Sequence, residues 1–364
     1  MKQNLYKGIL ISIIITILSL DYFFVLGWVS LERYKMFIII VNCLFSIFVT
    51  TFIHGLGHQI LLIILGMKSS VFSCYPVLLI RKNNKWFINI NFKIDTDIVG
   101  FIIPNIHVIR DLHDYNSNLR KIALATLAGP ITSILLGIVC LIFPTNIVEI
   151  ILLKKILGIT SLFLAMLSLI YGDGSIFLLL LTNKNYVLKS LMSFNNYSSN
   201  YFSNNYLYKV AEDCFEEIDL KNIDEKALLQ FEIQSYLIYN SVLNNNNNYP
   251  QILKKNIENF SNVEIELENL KPGIILYIHT VILYLTSVEK NFDLANKIYN
   301  LYFLEHEKIP NDSYLLQRSR YFLGHLMSLE QIINMLDNYF EFTISENYSL
   351  IEKKLITQFS RVNN

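Results

Sequence analysis

Net charge is the first thing this 364-residue chain lacks: 30 basic side chains balance 30 acidic ones at pH 7. Such a balance implies neither a nucleic-acid surface nor a field that gathers an acidic substrate. Cysteine is also scarce. Cys43, Cys74, Cys140 and Cys214 are scattered with no C-x-x-C pair, which argues against a disulfide framework and against a thiolate zinc site. Cys43 and Cys140 lie in apolar runs and read as packing residues. The third absence is local. Met36–Met67 contains no Asp, Glu, Lys or Arg, Ile122–Val148 is likewise uncharged, and Ile156–Asn183 holds one acid, Asp173.

What is present is unevenly spread. The first half is apolar almost throughout, and the second mixes Lys, Glu and Asn with aliphatics. A bilayer is crossed by about 20 apolar residues. Four runs qualify, at about 8–29 (interrupted by Asp21), 36–66, 122–148 and 156–183. The first follows Lys2 and Lys7 in the manner of a signal peptide, but no small-residue cleavage site follows it, so an uncleaved anchor is expected. With four spans, Lys2, Lys7, Lys68, Arg81, Lys82, Lys85, Lys93, Arg110, Arg120, Lys121 and the lysines from Lys184 onward share one side. Arg33, Lys35, Lys154 and Lys155 lie on the other. Basic residues favour the cytoplasm, so both termini are expected there. The abundance of Asn, Ile and Lys suggests an AT-rich bacterial genome, hence a bacterial cell membrane.

Direction gives a test of depth. Spans two and four run the same way, His54 lies 18 residues after Met36, and Asp173 lies 17 after Ile156. At about 1.5 Å per residue they reach one level. His54 and His58, at i and i+4, share a helix face. Two neutral imidazoles and a carboxylate from another helix can bind one zinc ion and leave a fourth position for water. An ionisable group inside a membrane usually marks function. The plainer alternative is a histidine pair bonded to backbone or water and an Asp serving helix packing. Asp21 runs in the opposite direction, near the outer end, and reads as an interfacial or packing group.

Three motifs in order, "HGLGH" (His54–His58), "LAGPITSILLG" (Leu127–Gly137) and "YGDGS" (Tyr171–Ser175), resemble the site-2 protease family of intramembrane zinc metalloproteases over roughly residues 36–183. That family carries H-E-x-x-H, then a Gly-Pro pair, then an Asp-Gly pair whose Asp binds zinc. The resemblance implies that His54, His58 and Asp173 are zinc ligands and that Gly129 and Pro130 are the Gly-Pro pair. Pro130 removes a helix hydrogen bond, either to open a path for water and substrate backbone or simply to kink its helix. The departure is at Gly55, where the family has its catalytic Glu. That Glu takes the proton from the attacking water and passes it to the leaving amine, and losing a general base typically forfeits roughly 10²–10⁴-fold in rate. No Glu lies in any of the four runs. His107, Asp111, His113 and Asp114 precede the third, but spacing does not bring them in. The Asn and prolines that the family often places before its Asp-Gly are missing from "LAMLSLIYGDG".

Between the second and third runs, about 75–95, alternation of Trp86, Ile88, Ile90, Phe92 and Ile94 predicts a β-hairpin. Its edge would either pair with an unwound peptide or only cap the membrane domain. Residues 185–206 read as a polar connector. Beyond them, helices are expected over about Leu207–Ile218, Glu225–Leu243, Ile274–Val288, Phe292–Leu304, Ser313–His325, Leu329–Tyr339 and Ser349–Phe359, with a low-complexity loop at Asn244–Pro250. Leu283–Tyr302 has a helical-hairpin rhythm, without a clean repeat of about 34 residues. His279, His306 and His325 lack ligand spacing and read as packing or surface residues.

The expected fold is therefore mostly α: a membrane helix bundle of about four spans over 1–184 with a small β-hairpin insertion, then a connector and a soluble, repeat-like helical domain over 207–364. Three functions remain open. The chain is a site-2-protease-like pseudoenzyme that holds zinc and handles membrane-associated peptides or proteins. Or it is an active intramembrane zinc endopeptidase using another base. Or it is a metal-free membrane scaffold for a helical domain that meets a partner protein. Each takes the lipid bilayer as its surroundings and none involves nucleic acid.

Overall fold

The computed structural model describes residues 33–74, 77–82, 85–90, 100–145, 148–196, 204–220, 223–244, 251–263, 271–304, 314–325, 328–341 and 346–363. The expected first span with Asp21, the hairpin's residues 91–95, His306 and most of the Asn-rich loop lie outside these residues. Described residues up to Pro104, with Ser117–Thr182, form one compact unit; Asn105–Asn116, with Asn183 onward, form a second.

The first unit is built on α1 (Arg33–Ile64), α2 (Leu112–Ile142), α3 (Val148–Tyr171) and α4 (Asp173–Thr182). Ile39–Ile64, Leu112–Ile142 and Ile150–Thr182 are long and apolar enough to cross a membrane. Their outward surface agrees: Leu44, Ile64, Ile142, Tyr171 and Leu178 are between 60% and 73% exposed. Apolar exposure on that scale suits lipid rather than water. Some contacts between the helices run through glycines and small hydroxyls. A Cβ on Gly57 would run into Thr132 Oγ1 and lie 2.7 Å from the Ala128 carbonyl oxygen. One on Gly137 would lie 3.0 Å from the Gly158 carbonyl oxygen. Close approach through such residues is how helices gain dispersion contacts in lipid. The Thr50 and Ser161 hydroxyls, 2.9 Å apart, tie α1 to α3.

α1 ends where Gly66 takes φ +75°, a conformation that favours glycine. Met67 N–H then bonds to the Leu62 carbonyl and Gly66 N–H to that of Ile63, a Schellman closure at which Leu62 and Met67 are both buried. The chain enters β1 (Lys68–Cys74) at once, followed by β2 (Val77–Lys82), β3 (Lys85–Ile90) and β4 (Gly100–Asn105). The expected hairpin is thus part of a four-stranded sheet in the order β3-β2-β1-β4. β2 and β3 are its antiparallel hairpin. β1 and β4 escape sequence reading because "KSSVFSC" and "GFIIPN" are short and lack alternation.

The second unit is helical: α5 (Lys184–Asn196), α6 (Asn205–Glu212), α7 (Glu225–Asn244), α8 (Gln251–Phe260), α9 (Pro272–Tyr284), α10 (Phe292–Tyr299), α11 (Tyr314–Phe322), α12 (Leu329–Glu341) and α13 (Glu346–Asn363). Leu285–Glu289 and Asn300–Leu304 continue α9 and α10 as π-turns. Two differences from the sequence expectation are clear. The polar-looking connector contains α5, whose Val187, Leu188, Leu191 and Met192 are buried. The sequence expectation has no counterpart to α8 in its Asn-rich surroundings; Leu253, Ile257 and Phe260 give it a buried face. Around α9, Phe231, Phe260, Tyr277 and Tyr302 stack into an aromatic core with ring centroids 4.8–5.9 Å apart. Deep inside, Glu352 accepts from Arg318 Nη1 at 2.6 Å and from the hydroxyls of Tyr239 at 2.7 Å and Tyr314 at 2.8 Å.

Candidate metal centre

The site lies wholly within the first unit. His54 and His58 stand one turn apart on α1, with ring centroids 4.9 Å apart and planes at 80°. Asp173 comes from a break in the third apolar helix. Tyr171 ends α3, Gly172 forms the bend, Asp173 begins α4, and the Gly174 backbone passes so close to the Leu169 carbonyl that no Cβ fits between them. The Gly-Asp-Gly sequence thus sets the carboxylate at a helix start, where free N–H groups favour negative charge.

The three residues converge. Asp173 Oδ2 lies 2.8 Å from His54 Nε2 and 3.4 Å from His58 Nε2. Among the described residues this is the one group of three or more His, Cys, Asp or Glu with ligand atoms within 4.8 Å of one another. Each group is tied down by a further bond, on the far ring nitrogen for the histidines and on Oδ2 itself for Asp173. His58 Nδ1 is 2.6 Å from the Ala125 carbonyl oxygen. A carbonyl only accepts, so this Nδ1 carries the hydrogen, and in the neutral ring Nε2 has its lone pair free. His54 Nδ1 meets Ser133 Oγ at 3.0 Å. Ser168 Oγ donates to Asp173 Oδ2 at 2.5 Å. Bonds of this kind orient metal-binding imidazoles and carboxylates.

Gly129 shows that the space is reserved. A Cβ built on it would run into His58 Nε2 and lie 2.6 Å from His54 Nε2, filling the cradle between the ligand atoms. Two imidazole nitrogens and one carboxylate oxygen suit a borderline divalent ion such as zinc, so the residues present fit a metal. Pro130 follows inside α2, and its missing N–H leaves the Thr126 carbonyl without its usual helical donor.

Gly55 lies beside the site, but a side chain there would meet the ring of Phe72 on β1: its Cβ would stand 3.1 and 3.3 Å from Cε2 and Cζ. Asp111 and Asp114, at the start of α2, belong to the second unit, and the cluster does not include them. Asp111 Oδ1 accepts from Asp114 N–H at 2.9 Å and Asp114 Oδ2 from Arg110 N–H at 3.1 Å, so both serve to cap the helix. His279 is buried in the second unit, its Nδ1 2.7 Å from Ser319 Oγ. Burial, with Arg318 nearby, holds its pKa well below the ordinary histidine value. Ser133, Ser168 and Phe72 are contributors that sequence reasoning missed. Ser133 had a signal, lying one turn after Gly129, whereas Phe72 had none.

No protein-family model matches the chain, and neither the curated proteins nor the solved structures compared with it contain a match.

Proposed function

We propose that the chain is an integral membrane protein of site-2-protease type that holds one zinc ion on His54, His58 and Asp173 and binds a membrane-associated peptide or protein without efficient cleavage. One observation carries the proposal: Nε2 of both histidines and Oδ2 of Asp173 converge among apolar helices, while Ala125 and Ser133 hold the far nitrogens of the rings and Ser168 donates to Oδ2 itself. Bound zinc would acidify water and polarise a carbonyl. The chain's own share is to place the ligands, to keep Nδ1 of His58 protonated, and to hold the pocket open through Gly129. What it does not supply is a proton carrier at position 55, and no fourth acid or histidine joins the group among the described residues. The order of HGLGH, Gly129-Pro130 and Asp173-Gly174 supports a peptide as the ligand, and the basic-residue asymmetry supports cytoplasmic termini in a bacterial membrane. The helical half is then available to a partner protein.

The test is zinc content by elemental mass spectrometry on the detergent-purified full chain and on His54→Ala and Asp173→Ala. Near-stoichiometric zinc that is lost in both variants is expected. Zinc absent from the unaltered protein, or retained in the variants, refutes the assignment and leaves a membrane scaffold.

A further inference from the structure

We infer that Phe72 packs tightly against the place of the missing base, so that Gly55 and Phe72 form one coupled pair in which the ring disfavours any side chain at position 55. The inference rests on the zinc-site reading for its meaning, but on packing alone for its geometry. Gly55 follows His54 on α1, and the direction in which its side chain would leave the helix points at the Phe72 ring, 3.1 Å away at Cε2. A glutamate needs four more heavy atoms beyond that Cβ. The ring has little room to yield. Phe72 is 2% exposed and meets the ring of Phe52, two residues before His54, edge-on at a centroid distance of 6.0 Å. Its strand is held as well. Phe72 pairs with Leu79 of β2. Ser69 Oγ, on the same strand, donates to Gln59 Oε1 of α1 at 2.6 Å, and the Schellman closure at Gly66 fixes the strand's start. Inserting the acid alone therefore forces a well-packed interior to move, which is destabilising.

The sign of a small substitution tests this. Away from any clash, Gly→Ala inside a helix is stabilising. Gly55→Ala and Phe72→Leu are made singly and together in the full chain, and apparent melting temperature and zinc content are measured in detergent. In the F72L background, Gly55→Ala should raise the melting temperature by roughly 2–4 °C. With Phe72 present it should give no gain or a loss. Gly55→Glu should lower both readouts, and F72L should recover most of that loss. Equal shifts for Gly55→Ala in the two backgrounds, or Gly55→Glu tolerated without change, overturn the inference. Zinc absent from the unaltered protein overturns the metal reading alone and leaves the packing coupling measurable.

Discussion

Gly129 is the residue on which the centre most directly depends. Alanine there puts a carbon among Nε2 of His54 and His58, so on the proposed zinc reading Gly129→Ala should abolish stoichiometric zinc while the protein still folds, as read by elemental analysis beside circular dichroism. Ser133→Ala and Ser168→Ala are milder. Each removes a hydroxyl bonded to a proposed zinc ligand, His54 or Asp173, and each should weaken zinc affinity by roughly 10–100-fold in a chelator competition. These roles were unequally legible in the sequence. The convergence of the i, i+4 histidines and the single Asp of an apolar run could be expected from sequence, because ionisable groups are so sparse in those runs. The contribution of a bare backbone, at Gly129, or of a phenyl ring brought in from a strand, at Phe72, depends on tertiary contact and leaves no local pattern.

At the scale of elements, the helix pairs in the first unit depend on absent side chains. A Cβ on Gly158 would lie 2.8 Å from Leu141 Cγ and 3.2 Å from the Gly137 carbonyl oxygen. Gly158→Val should separate α2 from α3 and cost about 1–3 kcal/mol, seen as a lower apparent melting temperature in detergent. In the helical half, α13 is anchored by a charge. Glu352 is fully buried and answers Arg318, Tyr239 and Tyr314. Glu352→Ala leaves the Arg318 guanidinium without that carboxylate and should cost roughly 3–5 kcal/mol, measured as a loss in denaturant midpoint. The three helices long and apolar enough to cross a membrane were legible because a long uncharged apolar run is a signal carried by composition and length alone. α5 and α8 were not, because burial of three or four side chains outweighs the weak propensity of their Asn-rich sequences.

For the whole molecule, acid should weaken the fold through His279. Its folded pKa lies well below the ordinary value while the unfolded one stays near about 6.5. The unfolded chain therefore binds the extra proton, and stability that is complete above about pH 6.5 falls as the pH drops below it. The full chain titrated from pH 8 to 5 should show a declining melting temperature, and His279→Gln a shallower decline. The division into two units has a practical consequence of its own. The chain leaves the first unit at Asn105, spends residues 105–116 in the second, returns for the apolar helices, and departs again at Asn183. Within the second unit, Asn204 Oδ1 accepts the Ile109 N–H at 2.7 Å, and Asn195 Nδ2 reaches the Tyr208 hydroxyl at 3.0 Å. A fragment expressed from Asn183 onward would therefore omit part of its own unit, and Asn204, buried at 0% exposure, would lose that amide. Such a fragment should be poorly behaved in isolation and improved when a synthetic peptide of residues 105–116 is added in trans.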